Sequence, residues 1–446
     1  MRNPPDRYLS TLQQHFPATP AFTLDENSEW TSTPESQNAP PATTHQAAQS
    51  IAFQRWFHFK EAFSPSFVTT AIQTLGFLPG HVIDPFGGCG TTGITCQLLG
   101  IDATTIEVNP FLADVIRAKT SHIETETLIS AAQSFRHGLA RTKPDLEVLS
   151  HLPSTFIESA DKERWIFSES VALRLSQYLK CIRQIADVKV QRFFRVALGA
   201  VLVECSNVYV NGKGRRYRRN WQETQPNAEL LDFRFYDQFN KAFEDVHRFA
   251  DRPGNHISVV HGDSRTAMRS IERPADLIVF SPPYPNSFDY TDIYNVELWT
   301  LGYLSSSRDN AQLRRSTVHS HVQIQRVAGK PINTSPTLQA VVKQLEEKRD
   351  ELWDTRIPEM VQGYFRDLEV VMTESRRLVT QRGKVLMVVG DSRYAEVLID
   401  VPSILVELAK AIGFTKTQIF EVRKMRASAQ QGGSHHLREC IVELAL

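Results

Sequence analysis

Residues 81–107 constrain the fold more than any other stretch. His81-Val82-Ile83 is a short apolar strand, Gly87 to Gly90 a glycine-rich turn, Thr92 to Leu99 the start of a helix, and Ala103 to Ile106 a second apolar strand. Two strands joined through a helix run parallel, because a tight hairpin turn can only send the chain back antiparallel. A parallel pair in turn requires helices on the faces of its sheet and gathers ligands at the carboxyl ends of its strands. Further strands are expected at Ile257 to Val260, Asp276 to Phe280 and Lys384 to Val389, with helical spacing over Leu338 to Trp353 and Met360 to Leu378. Gln418 to Lys424 and Glu439 to Leu444 read as an antiparallel pair around the polar, glycine-containing stretch Ser428 to His436.

Between Glu124 and Asp251 the strand pattern is lost. Val171, Leu175, Leu179 and Ile182, then Phe194, Leu198, Val201 and Leu202, recur at helical intervals. The reading is an α/β domain in two parts, residues 51–120 and 256–446, divided by a helical insertion over 121–255. Residues 1–50 form an arm, and its polar part from Asp25 to Gln49 has too few aliphatic side chains to repay the entropy of ordering.

Fifty Lys and Arg balance fifty Asp and Glu, so whole-chain charge lends no support to a nucleic-acid partner and any such case rests on local clusters. Lys213, Arg215, Arg216, Arg218 and Arg219, interleaved with Tyr217 and followed by Trp221, form the denser one; Arg423, Lys424 and Arg426 form a second. The five cysteines are scattered without a CxxC pair, and His435 and His436 form no metal pair with nearby carboxylates, so free thiols and no metal are expected. No apolar run is long enough to span a bilayer and Met1 to Ser10 is polar, which makes a cytoplasmic location without membrane contact the expectation.

Asp84-Pro85-Phe86-Gly87-Gly88-Cys89-Gly90-Thr91-Thr92 stands where the first strand meets its helix. Glycines there let a ligand approach the backbone, and the helix start offers free N–H groups. The loop matches neither GxGxxG nor GxxxxGKS/T, which disfavours a nicotinamide enzyme and a P-loop NTPase. Glu107, after the second strand, is placed either to accept from both hydroxyls of a ribose or to cap the helix starting near Pro110. Asp263, with Ser264 after it, is placed either to accept from an adenine amino group or to cap a turn. Three acceptors at three successive strand ends point together to an adenosine-containing ligand held without phosphate contacts.

The fourth strand runs into Ser281-Pro282-Pro283-Tyr284. Consecutive prolines stiffen the backbone and remove N–H donors, leaving carbonyl acceptors beside a serine hydroxyl and an aromatic ring. The exocyclic amine of a nucleobase is a poor nucleophile because its lone pair is delocalised; acceptors around the NH₂ stabilise it as it turns pyramidal, while the ring stacks on a rotated-out base. Alone, the segment reads rather as a stiff surface loop.

Asp84 to Thr92 and Ser281 to Tyr284 together resemble the cofactor and catalytic motifs of the DNA amino-methyltransferases. The resemblance implies a Rossmann-like class I methyltransferase fold, a seven-stranded mixed sheet with an antiparallel last strand, and S-adenosyl-L-methionine as cofactor. It extends to Trp56 to Ser66, similar to the segment covering the methionine end of the cofactor, with Lys60, Phe63 and Pro65 as contacts. Glu107 with Asn109, and Asp263 with Ser264, fall at the ribose and adenine positions, and Arg382 to Asp391 at the strand behind the pocket. On this basis Asp84, Pro85, Phe86, Gly87, Gly88, Gly90, Thr91 and Thr92 form the cofactor loop, and Ser281, Pro282, Pro283 and Tyr284 are the catalytic residues. In the family the SPPY form goes more often with N4 of cytosine, and DPPY or NPPY with N6 of adenine, so cytosine is expected and adenine is the alternative. One departure is the order: here the cofactor motif comes first, whereas many serine-type members have the catalytic motif first.

The implied substrate is double-stranded DNA, with the cluster from Lys213 to Arg219 expected to grip phosphates or enter a groove and Arg308, Arg314, Arg315 and Arg326, in the polar stretch after the catalytic strand, as equal candidates for base contacts. A restriction endonuclease or other defence component is the expected partner. Methylation of a ring carbon is not expected, because no cysteine follows a proline. Rival readings are an RNA or protein-amide methyltransferase and a DNA-binding protein without catalysis.

Overall fold

The computed structural model describes residues 51–211, 214–286, 288–326, 329, 332–426 and 436–446. The expectations for the arm (1–50), for Lys213 and for most of the stretch from Ser428 to His436 lie outside the described residues. A turn at Gln54–Trp56 leads into α1 (Pro65–Gln73), β1 (His81–Asp84), α2 (Thr91–Leu98), β2 (Asp102–Glu107) and α3 (Pro110–Thr120). Four helices follow, α4 (Thr125–Arg141), α5 (Glu169–Arg183), α6 (Val188–Gly199) and α7 (Ala228–Arg248), with strands β3 (Val208–Asn211) and β4 (Gly214–Tyr217) between the last two. The sheet resumes with β5 (Ile257–His261), α8 (Ser264–Ala267) and β6 (Ala275–Phe280). Helices α9 (Tyr290–Ile293), α10 (Asn295–Thr300), α11 (Ser307–Ser316), α12 (Pro336–Glu347) and α13 (Ile357–Leu378) precede β7 (Val379–Gly390). A small pair, β8 (Ser392–Tyr394) and β9 (Val397–Ile399), then α14 (Val401–Ile412), β10 (Lys416–Arg426) and β11 (His436–Ala445) complete the chain.

Seven strands form one sheet in the order β10-β11-β7-β6-β1-β2-β5. Strands β5, β2, β1, β6 and β7 are parallel, and β11 alone runs against its neighbours β7 and β10. This is the α/β sheet of the Rossmann-like class I methyltransferase fold, with the last strand antiparallel. The chain moves outward from β1 through β2 to β5, then restarts on the other side of β1 with β6. That reversal leaves a crevice above the carboxyl ends of β1 and β6.

Alternate strand residues enter two different cores. Leu277, Val279, Leu386 and Val388 face one, and Ile278, Phe280, Val385, Met387 and Val389 face the other. Burial on both faces explains why these strands are almost uninterrupted apolar runs in the sequence. The first core continues from Val82 and Val279 into the middle helices through Leu175, Phe194 and Phe235. The β3–β4 hairpin is a departure from the helical pattern expected between Glu124 and Asp251. Its strands are only four residues long and the second carries two adjacent arginines, so the pair is too short to register as apolar alternation.

One buried carboxylate ties the middle helices to the front of the sheet. Asp245 of α7 has no exposed side-chain surface and accepts from the Phe53 amide (2.8 Å), the Trp56 indole (2.9 Å) and the Arg55 guanidinium (2.5 Å). Removing it strands two buried donors, the Phe53 amide and the Trp56 indole, at about 1–3 kcal/mol each, while Arg55 keeps its pair with Glu244 at 2.8 Å. Asp245→Ala is therefore expected to lose stability on that order in urea unfolding; a loss below about 1 kcal/mol would contradict the role given to this contact.

Candidate active site

A cavity opens over the crevice between β1 and β6. Phe59 to Phe63 form one wall, and Pro85, Phe86, Gly88, Cys89 and Thr91 come from the turn after β1. Glu107 to Asn109 stand at the end of β2, Asp263 to Arg265 after β5, and Ser281 to Tyr284 after β6. Tyr290, Tyr294, His321, Arg423 and Glu439 complete the lining at the far side. The structure thus gathers Lys60, Phe63, Pro85, Phe86, Gly88, Thr91, Glu107, Asn109, Asp263, Ser264 and the whole SPPY segment around one space. Asp84, Gly87, Gly90 and Thr92 are buried behind the loop and do not line it.

The loop is shaped from behind. Asp84 accepts from the Phe86 amide (2.9 Å) and the Thr92 hydroxyl (2.6 Å), which folds the turn back onto the start of α2. Gly88 sits at φ 52°, and a Cβ there would stand 2.9 Å from the Phe59 ring, so only glycine lets that wall close over the loop. Lys119, wholly buried on α3, donates to the Cys89 carbonyl at 2.7 Å and braces the loop from below.

Glu107 links two strand ends: one oxygen accepts from the Gly88 amide and the other from the Asn109 amide, both at 2.8 Å. The cap of α3 belongs to Asn109, whose side chain accepts from the Phe111 and Leu112 amides, so Glu107 is not the helix cap. Burial pushes the Asp84 and Glu107 carboxyls up to about 7. Asp263 caps α8 through the Arg265 amide and grips the Arg265 guanidinium with both oxygens; Arg265 in turn pairs with Asp367 at 2.8 Å. The Ser264 hydroxyl donates to the Pro85 carbonyl, joining the end of β5 to the loop after β1.

At the opposite end, Ser281 donates its hydroxyl to the Val388 carbonyl at 3.1 Å and lines the cavity beside the Tyr284 hydroxyl. The Tyr284 hydroxyl donates to Glu439 at 3.2 Å, and burial together with that carboxylate keeps the phenol protonated well beyond its usual range. Glu439 is itself gripped by Arg423 through two bonds, 2.6 and 3.0 Å. Tyr394 donates to the Pro285 carbonyl at 3.0 Å and fixes the loop beyond the prolines.

The basic cluster divides. Arg218 donates to the Ser206 and Val203 carbonyls and holds the hairpin in place. Arg215 turns inward over the Phe156 ring, while Arg216 and Arg219 are exposed. The hairpin stands beside the cavity: Lys60 donates to the Val210 carbonyl at 2.8 Å, and Gly214 approaches the Asp292 carboxylate. Of the second group, Arg314 pairs with Asp289 at 2.7 Å and Arg326 donates to the Arg314 and Thr317 carbonyls, whereas Arg308 and Arg315 are exposed.

Several lining residues carry no signature in sequence spacing. Glu61 accepts from Tyr294 at 2.8 Å, and burial raises its carboxyl. His321 is buried and its pKa is pushed down to about 4, so the ring is neutral. Glu439 and Arg423 come from the last two strands. The hairpin did leave a signal, the Asn211-Gly212 dipeptide between two short runs. Among the described residues no cluster of metal-ligating side chains occurs, and no helix is long and apolar enough to cross a membrane.

No protein-family model matches the chain. It is similar to the Type II methyltransferase M.AvaI of Nostoc sp. (strain PCC 7120 / SAG 25.82 / UTEX 2576), 26% identical over 434 residues covering 89% of this chain and 87% of that protein. The Type II methyltransferase M.BsoBI of Geobacillus stearothermophilus is 24% identical over 442 residues, 88% of this chain and 84% of that one. M.MvaI of Kocuria varians, another Type II methyltransferase, is 22% identical over 355 residues, 73% of each chain. The resemblance carried by two short motifs thus extends along most of the chain.

The raised carboxyls set a pH signature. A carboxyl that keeps its proton up to about 7 in the native state holds it where the unfolded chain has lost it, so its contribution to stability is complete at acid pH and is lost as pH rises through about 7. Between about pH 5 and pH 8 the wild type is expected to lose more unfolding free energy than Glu107→Gln. Parallel urea titrations at the two pH values check this, and identical losses would contradict it.

Proposed function

We propose that this relative of the Type II methyltransferases is an S-adenosylmethionine-dependent, site-specific DNA methyltransferase acting on the exocyclic N4 of a cytosine rotated out of the duplex. The carrying observation is that the glycine loop after β1 and the SPPY segment after β6 open into one cavity at the reversal of strand order. The similarity to Type II methyltransferases supports the same reading.

The residues fit an adenosine-containing cofactor. Glu107 lines the cavity with lone pairs left after its two amide bonds, suited to ribose hydroxyls. Gly88 has no side chain to obstruct approach, and Asp263 with Ser264 stands on the adenine side, although Asp263 already holds Arg265. Lys60 and Phe63 wall the methionine end. S-adenosylmethionine supplies, when bound, an electrophilic methyl group on a sulfonium sulfur.

The chain's residues do the rest. With its own proton given to Val388, the Ser281 hydroxyl can only accept toward the cavity, and the Pro282 carbonyl is a second acceptor. Together they hold the N–H bonds of the base amine and free its lone pair for attack; after the methyl is transferred the nitrogen gives up its surplus proton to solvent water. Tyr284, fixed at its hydroxyl by Glu439, stacks on the base. Positioning and electrostatics carry the acceleration, without a covalent intermediate on the enzyme. The exposed Arg216 and Arg219 of the neighbouring hairpin, and Arg308 and Arg315, contact phosphates. A restriction endonuclease of the same sequence specificity is the proposed partner, following the Type II relatives.

Incubation with unmethylated plasmid DNA and methyl-labelled S-adenosylmethionine, followed by digestion to nucleosides and mass spectrometry, is expected to give N4-methylcytosine. Tyr284→Ala is expected to reduce the rate roughly 5- to 150-fold, the range for loss of about 1–3 kcal/mol of base stacking. An unchanged rate in that variant would overturn the stacking role, and label in RNA or protein alone would overturn the substrate.

A further inference from the structure

We propose that Arg423 reads the Watson–Crick edge of the target base and makes this site prefer cytosine to adenine. The inference rests on the reading of the cavity as a DNA amino-methyltransferase site and adds the residue that distinguishes the two bases. In the sequence Arg423 reads as part of a basic run over residues 423–426. In the structure it is half-buried, lines the cavity, and lies opposite Glu439 in the β10–β11 ladder.

Sheet order fixes which side the base enters. The loop of β1 and the ends of β2 and β5 form the cofactor half, so the acceptor half lies beyond β6, over β7, β11 and β10. Going that way from Ser281, the next polar groups in the lining are Tyr284, Glu439 and Arg423. Glu439 is buried, and its carboxylate accepts from Tyr284 and from Nε and Nη2 of Arg423. Nη1 of Arg423 takes no partner among the described residues. The carboxylate therefore orients a guanidinium whose remaining donors are directed away from the pair, in the fixed fork that arginine presents.

The two candidate bases differ in what they offer to such a donor. With the amino nitrogen held at Ser281 and Pro282, the edge of cytosine continues through ring N3 to the O2 carbonyl, a strong acceptor. The edge of adenine continues through ring N1 to a C–H, which accepts nothing. A half-buried guanidinium facing C–H loses a charge-assisted hydrogen bond that it keeps with water or with O2. Arg423 thus favours cytosine independently of Ser281, which is compatible with either amine.

The test compares wild type, Arg423→Met and Arg423→Lys on unmethylated plasmid DNA, with nucleoside mass spectrometry for product and S-adenosylhomocysteine binding for the cofactor half. Arg423→Lys keeps a cation beside Glu439 and guards against simple loss of the fold in Arg423→Met. Both variants are expected to bind S-adenosylhomocysteine within about twofold of wild type, and to form N4-methylcytosine with kcat/KM lower by roughly 10- to 100-fold, the usual range for a base-edge contact. The ratio of N6-methyladenine to N4-methylcytosine is expected to rise. Wild-type rates in both variants, with N4-methylcytosine still the wild-type product, would overturn the role of Arg423 and leave the function standing. N6-methyladenine from the wild type would overturn the cytosine reading and the role of Arg423 with it.

Discussion

The reversal of strand order between β1 and β6 is the constraint on which the rest of the molecule depends. Five parallel strands end at the same edge of the sheet, and their connections leave that edge in opposite directions on either side of the reversal. Loops that would otherwise crowd together are parted there, and a cavity results. The glycine loop, Glu107 and Asp263 come from one side of it, the SPPY segment from the boundary, and Glu439 with Arg423 from the other. No two of these groups need be close in sequence, because the parallel ladder sets their spacing.

Buried charge holds this edge together. Glu107 joins the loop after β1 to the end of β2, Ser264 joins the end of β5 to the same loop, and Lys119 supports the loop from below. Asp245 reaches from the middle helices to the segment that becomes the cavity wall. Each carboxylate taken out of water is tolerated because it accepts backbone amides or pairs with a cation. The price appears as carboxyls that hold their protons to unusually high pH. The middle helices accordingly act on the cavity through the wall they support, and through the hairpin that Lys60 touches.

His81 to Ile83 and Asp276 to Phe280 were legible because burial on both faces forces continuous apolar runs, and Ile257 to Val260, a half-buried edge strand, by its β-branched run alone; each lies within one residue of an observed strand. The start of β7 was not, since Val379 to Lys384 includes exposed polar residues that continue the ladder without an apolar face to announce it. The glycine loop and SPPY were legible as local motifs whose residues must be adjacent to work. The far wall was not: Glu61, His321, Glu439 and Arg423 reach the cavity only through long-range packing, and an arginine in a basic run looks the same in sequence whether it faces solvent or a carboxylate. The cluster from Arg215 to Arg219 was visible as charge, yet only tertiary structure separates Arg218, spent on carbonyls, from the exposed Arg216 and Arg219.

The claim that one strand edge forms both halves of a single cavity is tested most directly by amide hydrogen exchange with and without S-adenosylhomocysteine. Slower exchange is predicted over residues 59–63, 86–92 and 107–112, with the hairpin at 208–217 unchanged. Protection confined to the surface groove between α4 and α6, near Glu126 and Val190, or protection nowhere in the cavity wall, would contradict the account.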